Sequence, residues 1–111
     1  MPTFCENLAQ LPAVDRLERI ELYGPDGHEP VGVIENVPGQ AGSLAVYYKL
    51  ALDFGGIGPQ AAEKGLELFA EYADEARQSP GRHPNIDRLL RVIEDGTHLA
   101  VRARRKPEGA A

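Results

Sequence analysis

Cysteine pairs, long apolar runs and an excess of basic residues are all missing from this sequence. Its one cysteine, Cys5, cannot form a disulfide within the chain, which agrees with a reducing compartment. No stretch approaches the roughly 20 apolar residues that a bilayer-spanning helix needs. The first ten residues also lack the basic and apolar regions of a secretory signal. These absences predict a cytoplasmic protein without a membrane segment.

The charged side chains are mainly acidic, with 17 acidic against 12 basic residues and a formal net charge of -5. Nucleic-acid binding depends largely on neutralising phosphates, so this charge argues against a general nucleic-acid binder. The basic segment "RARRK", residues 102–106, is interpreted as a solvated terminus, with a contact to RNA or another anion as the alternative.

The length and composition predict one domain. A chain of 111 residues, 42% hydrophobic and 26% charged, can build a single core without metal or disulfide staples. We expect this domain to cover residues 1–105 and a disordered tail to cover residues 106–111, where the composition is that of a frayed end. No internal repeat is visible in the sequence.

Three segments alternate apolar and polar residues as half-buried strands do. Ile20 and Leu22 alternate with charged residues, "GPDG" marks a turn, and Val31 and Val33 resume an apolar face, so this region predicts a β-hairpin. Near the end of the chain, "THLAVRAR" alternates in the same way and predicts a third strand.

The other periodic segments have helical signals. A short helix near the start should end close to Pro12, and an amphipathic helix should run from Pro59 to about Gln78. Another amphipathic stripe spans Ile86 to Ile93, and the segment Ser43–Phe54 is a nearly all-apolar helix that ends at two glycines. Together with the strands, these helices predict an α+β fold: a small antiparallel sheet, built from the hairpin and the C-terminal strand, packed against three or four helices.

The apolar helix Ser43–Phe54 also predicts a partner. Only Lys49 and Asp53 are charged in this segment, and a helix with so little polar surface must be covered on most sides. A three-stranded sheet offers limited cover. We therefore expect self-association as a homodimer through this helix, with cover from within the chain as the alternative.

Three short sequences in the middle of the chain are familiar in combination. The stretch Pro38–Ile93 contains "GSLAVY", "FGGI" and "HPNIDRLL" in that order. It resembles the bacterial family known as domain of unknown function 2322, and the similarity extends through most of the chain. The resemblance implies a small bacterial protein, and it implies no activity, cofactor or catalytic residue.

The glycine-rich segment "PGQAGSL" precedes the apolar helix and has some features of a phosphate-binding loop. A P-loop needs a lysine and a hydroxyl at the helix start; Ser43 supplies the hydroxyl, but the lysine is missing. We interpret Ser43 as the N-cap of the helix. Weak binding of phosphate or carboxylate at this helix start is the alternative.

The segment "GRHPNID" places four polar side chains around a predicted helix start: Arg82, His83, Asn85 and Asp87. Capping explains them structurally, with Asp87 pairing with Arg91 one turn later. A guanidinium, an imidazole and the positive end of a helix could instead bind a small anion. In a third interpretation, His83 and Asp87 carry acid/base or metal chemistry.

The sequence therefore leaves the function open between two classes of protein. The first is a small binding or regulatory module, dimeric, with a ligand site formed by Arg82, His83, Asn85 and Ser43. The second is a small enzyme or enzyme subunit that uses His83 and Asp87. No complete catalytic constellation, cofactor motif or metal-ligand set is present in the sequence, and a small anionic ligand is the partner that the polar residues favour.

Overall fold

A computed structural model describes residues 2–107 of the chain. It contains five helices and three strands, in the order α1 (Phe4–Leu8), β1 (Leu17–Tyr23), β2 (Pro30–Glu35), α2 (Ala41–Phe54), α3 (Pro59–Phe69), α4 (Glu71–Gln78), α5 (Pro84–Asp95) and β3 (Ala100–Arg105). The predicted α+β class is confirmed.

The three strands form one antiparallel sheet in the order β2-β1-β3, as the hairpin and C-terminal strand predict. Successive side chains of a strand point to opposite faces. Ile20 and Leu22 of β1 and Ile34 of β2 are fully buried on the face that α2 covers. The helices thus lie on one side of the sheet, with α3 packed on α2 and on α5.

The apolar face predicted for β2 is wrong for Val31 and Val33, which are exposed. Val33 pairs with Glu21 of β1, so it lies on the face of the sheet away from the core. The helix-facing position between the two valines is Gly32. A methyl group there would lie 2.9 Å from a guanidinium nitrogen of Arg88, so the Arg88 side chain would have to move to make room for an apolar side chain.

The open face of the sheet contains a buried carboxylate, that of Glu21. It accepts hydrogen bonds from the hydroxyl of Tyr23 at 2.7 Å and from the Nε atoms of Arg19 at 2.8 Å and Arg104 at 2.9 Å. These bonds, that of Tyr23 above all, lower the pKa of Glu21 from 4.5 to about 2. The network joins β1 to β3 on the side without helices.

Helix α2 begins earlier than predicted, so the interpretation of Ser43 as its N-cap is wrong. The N-cap is Gln40, whose carbonyl accepts the N–H of Leu44 at 3.0 Å, and Ser43 is the third residue of the helix. The positive φ of Gly39, 92°, turns the chain into this earlier start. At the other end, the predicted glycine termination is confirmed by Gly55 in the left-handed conformation.

The chain itself covers most of α2. Leu44, Val46, Tyr47 and Leu50 are fully buried among the sheet, α3 and α5. Helix α3 approaches α2 closely at Gly65, where a methyl group would lie 2.9 Å from a Leu50 methyl carbon. Cover from within the chain was the alternative to a dimer interface for this helix.

The helix predicted from Pro59 to about Gln78 is two helices, because Ala70 adopts a positive φ of 52°. A break frees main-chain carbonyls, which need partners. The side chain of Asn7 in α1 supplies one, donating to the Leu68 carbonyl at 2.9 Å. The prediction of a continuous helix failed because this partner is far away in the sequence.

The predicted tail, residues 106–111, is only partly described. The N–H of Lys106 donates to the carbonyl of Arg16 at 2.9 Å, and residues 108–111 lie outside the described residues. The boundary at residue 105 stays a prediction.

Candidate functional site

A cleft of about 720 Å³ lies where the first turns of α2 and α5 approach α1 and the junction of α3 with α4. We call it the α2/α5 cleft. Its polar and aromatic lining includes Ser43, Tyr72, Arg82, His83, Asn85 and Arg88. All four candidate ligand-binding residues from the sequence, Arg82, His83, Asn85 and Ser43, therefore line one cleft, whereas Asp87 does not.

The start of α5 follows the local chemistry of its sequence. Pro84 is the first helical residue, as predicted, and the His83 carbonyl accepts the N–H groups of Ile86 and Asp87. The Asp87 carboxylate turns back to accept the N–H of Gly81 at 2.8 Å. Asp87 thus stabilises the turn before the helix, in place of the pairing with Arg91 that its spacing predicts.

His83 and Arg82 share one carboxylate, that of Glu75 in α4. Its Oε1 atom lies 3.1 Å from Nε2 of His83 and 3.1 Å from Nε of Arg82. The Arg82 side chain is largely exposed, so this ion pair is weak. The partner of His83 is therefore Glu75, which the sequence did not identify because it lies in another helix.

Arg88 is the residue of the cleft that sequence reasoning missed. Its Nη1 atom donates to the side-chain oxygen of Asn85 at 2.9 Å and lies 3.4 Å from the hydroxyl of Tyr47. The guanidinium carbon is 5.7 Å from the centroid of the Tyr47 ring, which is a cation–π contact. Within residues 2–107, no carboxylate oxygen lies within 4.0 Å of Arg88. The sequence signal that could have identified Arg88 is its position three residues after Asn85, because side chains at this spacing are neighbours on a helix.

Tyr47 ties the two helix starts together. Its side chain is fully buried in α2, and its hydroxyl donates to the main-chain carbonyl of Asn85 in α5 at 2.5 Å. Burial raises the pKa of Tyr47 to about 12, so the hydroxyl keeps its proton at neutral pH and remains a donor. Tyr47 is thus a core residue whose hydroxyl has a hydrogen-bond partner.

The first turn of α2, which lines the cleft, contains unpaired amides. Gln40 caps the helix without a side-chain hydrogen bond, because its side-chain oxygen accepts the N–H of Glu35 at 3.2 Å instead. In the part of the chain that the structure describes, the N–H groups of Gly42 and Ser43 have no hydrogen-bond partner. Such amides carry the positive partial charge of a helix start.

Aromatic rings form the side of the cleft next to α1. The rings of Phe4 and Phe69 stack with centroids 5.4 Å apart, and Tyr72 meets Phe4 edge-on at 5.3 Å. The Tyr72 ring in turn lies 5.5 Å from the ring of His83. The break at Ala70 places Tyr72 at the start of a separate helix, so the aromatic series reaches the polar residues of α5.

The two other histidines lie elsewhere. His28 is exposed beside the hairpin turn, and the ring of His98 lies against Gly58, where a methyl group would be 2.3 Å from a ring carbon. Neither lines the α2/α5 cleft. Among residues 2–107, no three or more His, Cys, Asp or Glu side chains are grouped so that they could hold a metal ion.

The cleft contains two guanidinium groups, and within residues 2–107 one of them, that of Arg88, has no carboxylate partner. Arg82 and Arg88 are permanent cations, whereas two carboxylates are bonded to cleft residues: that of Glu75 to Arg82 and His83, and that of Glu71 to the main-chain N–H of Phe4. Two helix starts add positive partial charge on the same side. The arrangement can therefore bind a carboxylate or a phosphate, and the His83–Glu75 pair can exchange a proton.

The fold and cleft define a small α+β protein with a cleft, lined by two arginines, on the helical side of its sheet. The chain belongs to a family described as an uncharacterized protein conserved in bacteria, domain of unknown function 2322, whose model matches residues 4–103. The resemblance seen in the sequence is thus confirmed. Searches of curated proteins and of solved structures found no match. None of the helices between residues 2 and 107 has the length and apolar character needed to cross a membrane.

Proposed function

We propose that this protein is a binding module for a small anion, a phosphate or a carboxylate, held in the α2/α5 cleft. The single observation that carries the proposal is Arg88, a half-buried guanidinium that lines the cleft without a carboxylate within 4.0 Å among residues 2–107. Charged side chains that leave the surface are normally paired with an opposite charge. An anionic ligand would supply that partner.

The position of Arg88 supports binding rather than a structural role alone. Asn85 and the Tyr47 ring orient the guanidinium, and Gly32 leaves room for it against the sheet. A guanidinium can bind a carboxylate or phosphate through two parallel hydrogen bonds, and it loses less side-chain entropy in doing so when its plane is already fixed. The neighbours of Arg88 provide that fixed plane.

The helix starts and Arg82 add to the same attraction. The unpaired N–H groups of Gly42 and Ser43 belong to α2, a helix of 14 residues. The other helix that begins at the cleft, α5, has 12 residues. Each helix start carries about half a positive charge and attracts anions. Glu75 opposes this attraction, since its carboxylate occupies Arg82 and His83. An incoming anion would compete with Glu75 for these two side chains.

Calorimetric titration with inorganic phosphate at constant ionic strength tests the proposal. Arg88→Gln removes the charge and keeps a polar side chain that can still reach Asn85. We expect it to weaken phosphate binding roughly tenfold or more, the range for hydrogen bonds to charged groups. The matched control is Arg91→Gln, on an exposed side chain of the same helix that does not line the cleft.

Equal losses in the two variants would mean that the effect is general electrostatics and not a site. Wild-type affinity in Arg88→Gln, with the fold intact by circular dichroism, would contradict the proposal. The two variants can be compared directly because they carry the same net charge.

Acid/base catalysis is the second candidate function, and the His83–Glu75 contact at 3.1 Å favours it. A carboxylate beside an imidazole can orient the ring for proton transfer to a ligand in the cleft. The sequence candidate Asp87 would act indirectly, through the turn that it stabilises at Gly81. If a phosphate or carboxylate ester is bound and slowly hydrolysed, and His83→Gln stops hydrolysis but not binding, the enzyme is the better description.

Self-association remains a separate proposal. Most of α2 is covered within the chain, but Leu52 and Phe54 at its end are 57% and 45% exposed. A homodimer contact there would bury these two side chains. Light scattering of the wild type and of the double variant Leu52→Ser, Phe54→Ser, at a protein concentration of tens of micromolar, tests this proposal. We expect a dimeric wild type and a monomeric variant, and a monomeric wild type would contradict the proposal.

A further inference from the structure

The α2/α5 cleft has a second side that an inorganic anion would leave uncovered. Beside Arg82 and Arg88, the cleft is lined by Phe4, Phe69 and Tyr72, and the Tyr72 side chain remains 37% exposed. A cleft of about 720 Å³ lies within the range of sites that hold whole small molecules. A ligand that fills the cleft therefore needs an apolar part in addition to its negative charge.

We infer that the natural ligand of this cleft is a phosphate or carboxylate attached to a planar aromatic ring, with the ring placed against Tyr72 and the anion at Arg88. The inference rests on the anion site proposed above and names the rest of the molecule. It covers nucleotides and aromatic acids alike, since both join a ring to an anion.

The aromatic series supports a flat ring over a flexible chain. Phe4 stacks on Phe69 at 5.4 Å and holds Tyr72 edge-on at 5.3 Å, so the Tyr72 ring is fixed by its neighbours before any ligand arrives. A fixed ring stacks on another ring at little cost in entropy, and such contacts tolerate many ring types. His83, 5.5 Å from Tyr72, links this ring to the cationic end of the cleft.

The remaining requirement is that the two ends lie within one molecule's reach. Both Tyr72 and Arg88 line the same cleft, and His83, whose ring is 5.5 Å from that of Tyr72, is the N-cap of the helix that contains Arg88. A small aromatic phosphate or carboxylate is therefore a better chemical match than a bare anion or an uncharged ring.

The experiment compares phenyl phosphate with methyl phosphate by calorimetry, because the two share the anion and differ in the ring. We expect phenyl phosphate to bind roughly tenfold more tightly, which is typical of one stacked ring. Tyr72→Leu, which keeps an apolar contact with Phe4, should remove that advantage, weakening phenyl phosphate binding far more than methyl phosphate binding. Tyr48→Leu, at a tyrosine outside the cleft, is the control. Adenosine monophosphate and benzoate then separate nucleotides from aromatic acids.

The outcomes distinguish the two proposals. If both esters bind equally and Arg88→Gln weakens both, the anion site stands and the ring inference is overturned. If neither ester binds, or if benzyl alcohol binds as tightly as phenyl phosphate, the proposed anion site itself fails. If Tyr72→Leu and Tyr48→Leu both reduce the advantage of the ring equally, the effect is not local to the cleft and the inference is overturned.

Discussion

Replacing Tyr47 by Phe removes one hydroxyl and tests how α2 and α5 are joined at the cleft. The hydroxyl is fully buried and donates to the Asn85 carbonyl at 2.5 Å. Phenylalanine keeps the ring, so no cavity forms, and the loss is that of the hydrogen bond to Asn85 and of the longer one, 3.4 Å, from Arg88. We expect the free energy of unfolding to fall by about 0.5–1.5 kcal/mol, and the Tm of a domain of this size to fall by about 4 °C per kcal/mol.

The pH dependence makes this prediction sharper. The pKa of Tyr47 is about 12 in the folded protein, against about 10 in an unfolded chain. Between these values the unfolded state releases the proton and the folded state keeps it, so the wild type loses stability as pH rises. At about pH 11 this loss amounts to about 1.4 kcal/mol, which the Phe variant does not suffer. The variant should then be as stable as the wild type or more stable by up to about 1 kcal/mol.

Urea unfolding followed by far-ultraviolet circular dichroism at about pH 8 and about pH 11 measures both differences. Tyr48→Phe is the control, because its hydroxyl has no hydrogen-bond partner in the described part of the chain and a smaller change is expected at pH 8. A Tyr47→Phe variant as stable as the wild type at pH 8 would refute the reasoning. So would a stability difference that stays the same at both pH values.

Three further substitutions test the sheet, the core and the cleft. Glu21→Gln should lower the free energy of unfolding at neutral pH. The difference between wild type and variant should shrink as pH falls from 4.5 toward about 2, because Glu21 of the folded protein becomes protonated near its lowered pKa. A difference in urea unfolding that does not depend on pH would contradict this. Gly65→Ala should lower the Tm, because its methyl group would lie 2.7 Å from Leu89 and 2.9 Å from Leu50. The cost of overpacking, about 1–3 kcal/mol, exceeds the gain in helix propensity of about 1 kcal/mol. A raised Tm would contradict this and show that the two leucines can move aside. Glu75→Gln should tighten phosphate binding about threefold by removing a competing carboxylate, and weaker binding in calorimetry would count against the site.

The features of the fold that the sequence predicts correctly are those determined by neighbouring residues. Pro59 and Pro84 begin helices because the N–H group that proline lacks has no partner within the helix at its first position. Gly55 and Gly96 end helices because glycine accepts the left-handed conformation. Alternation in β1 and β3 likewise follows from side chains within each strand.

The features that the sequence does not predict depend on contacts between distant segments. Ala70 carries no local signal for a break, and its positive φ persists where Asn7 of α1 satisfies a carbonyl of the preceding turn. Val33 is exposed because Gly32, under Arg88, takes the position that faces the helices. Neither pairing can be derived from spacing along the chain.

The candidate site divides in the same way. The polar residues near both helix starts were identifiable within their own segments, Ser43 in one and Arg82 to Asn85 in the other, although α2 begins before Ser43; these residues line one cleft. That they meet depends on the packing of α2 against α5, and the hydrogen bond from Tyr47 crosses that junction. The role of Glu75 was hidden for the same reason, since it lies in a helix that sequence periodicity merged with its predecessor.

Nuclear magnetic resonance of the ¹⁵N-labelled protein during titration with inorganic phosphate tests the central proposal most directly. The account predicts that the amides of Gly42, Ser43 and Asn85 shift together and saturate at millimolar phosphate. It also predicts that the shifts saturate only at roughly tenfold higher phosphate in Arg88→Gln and are unchanged in Arg91→Gln. Amides of this cleft that stay in place, while other surface amides shift or none does, would contradict it.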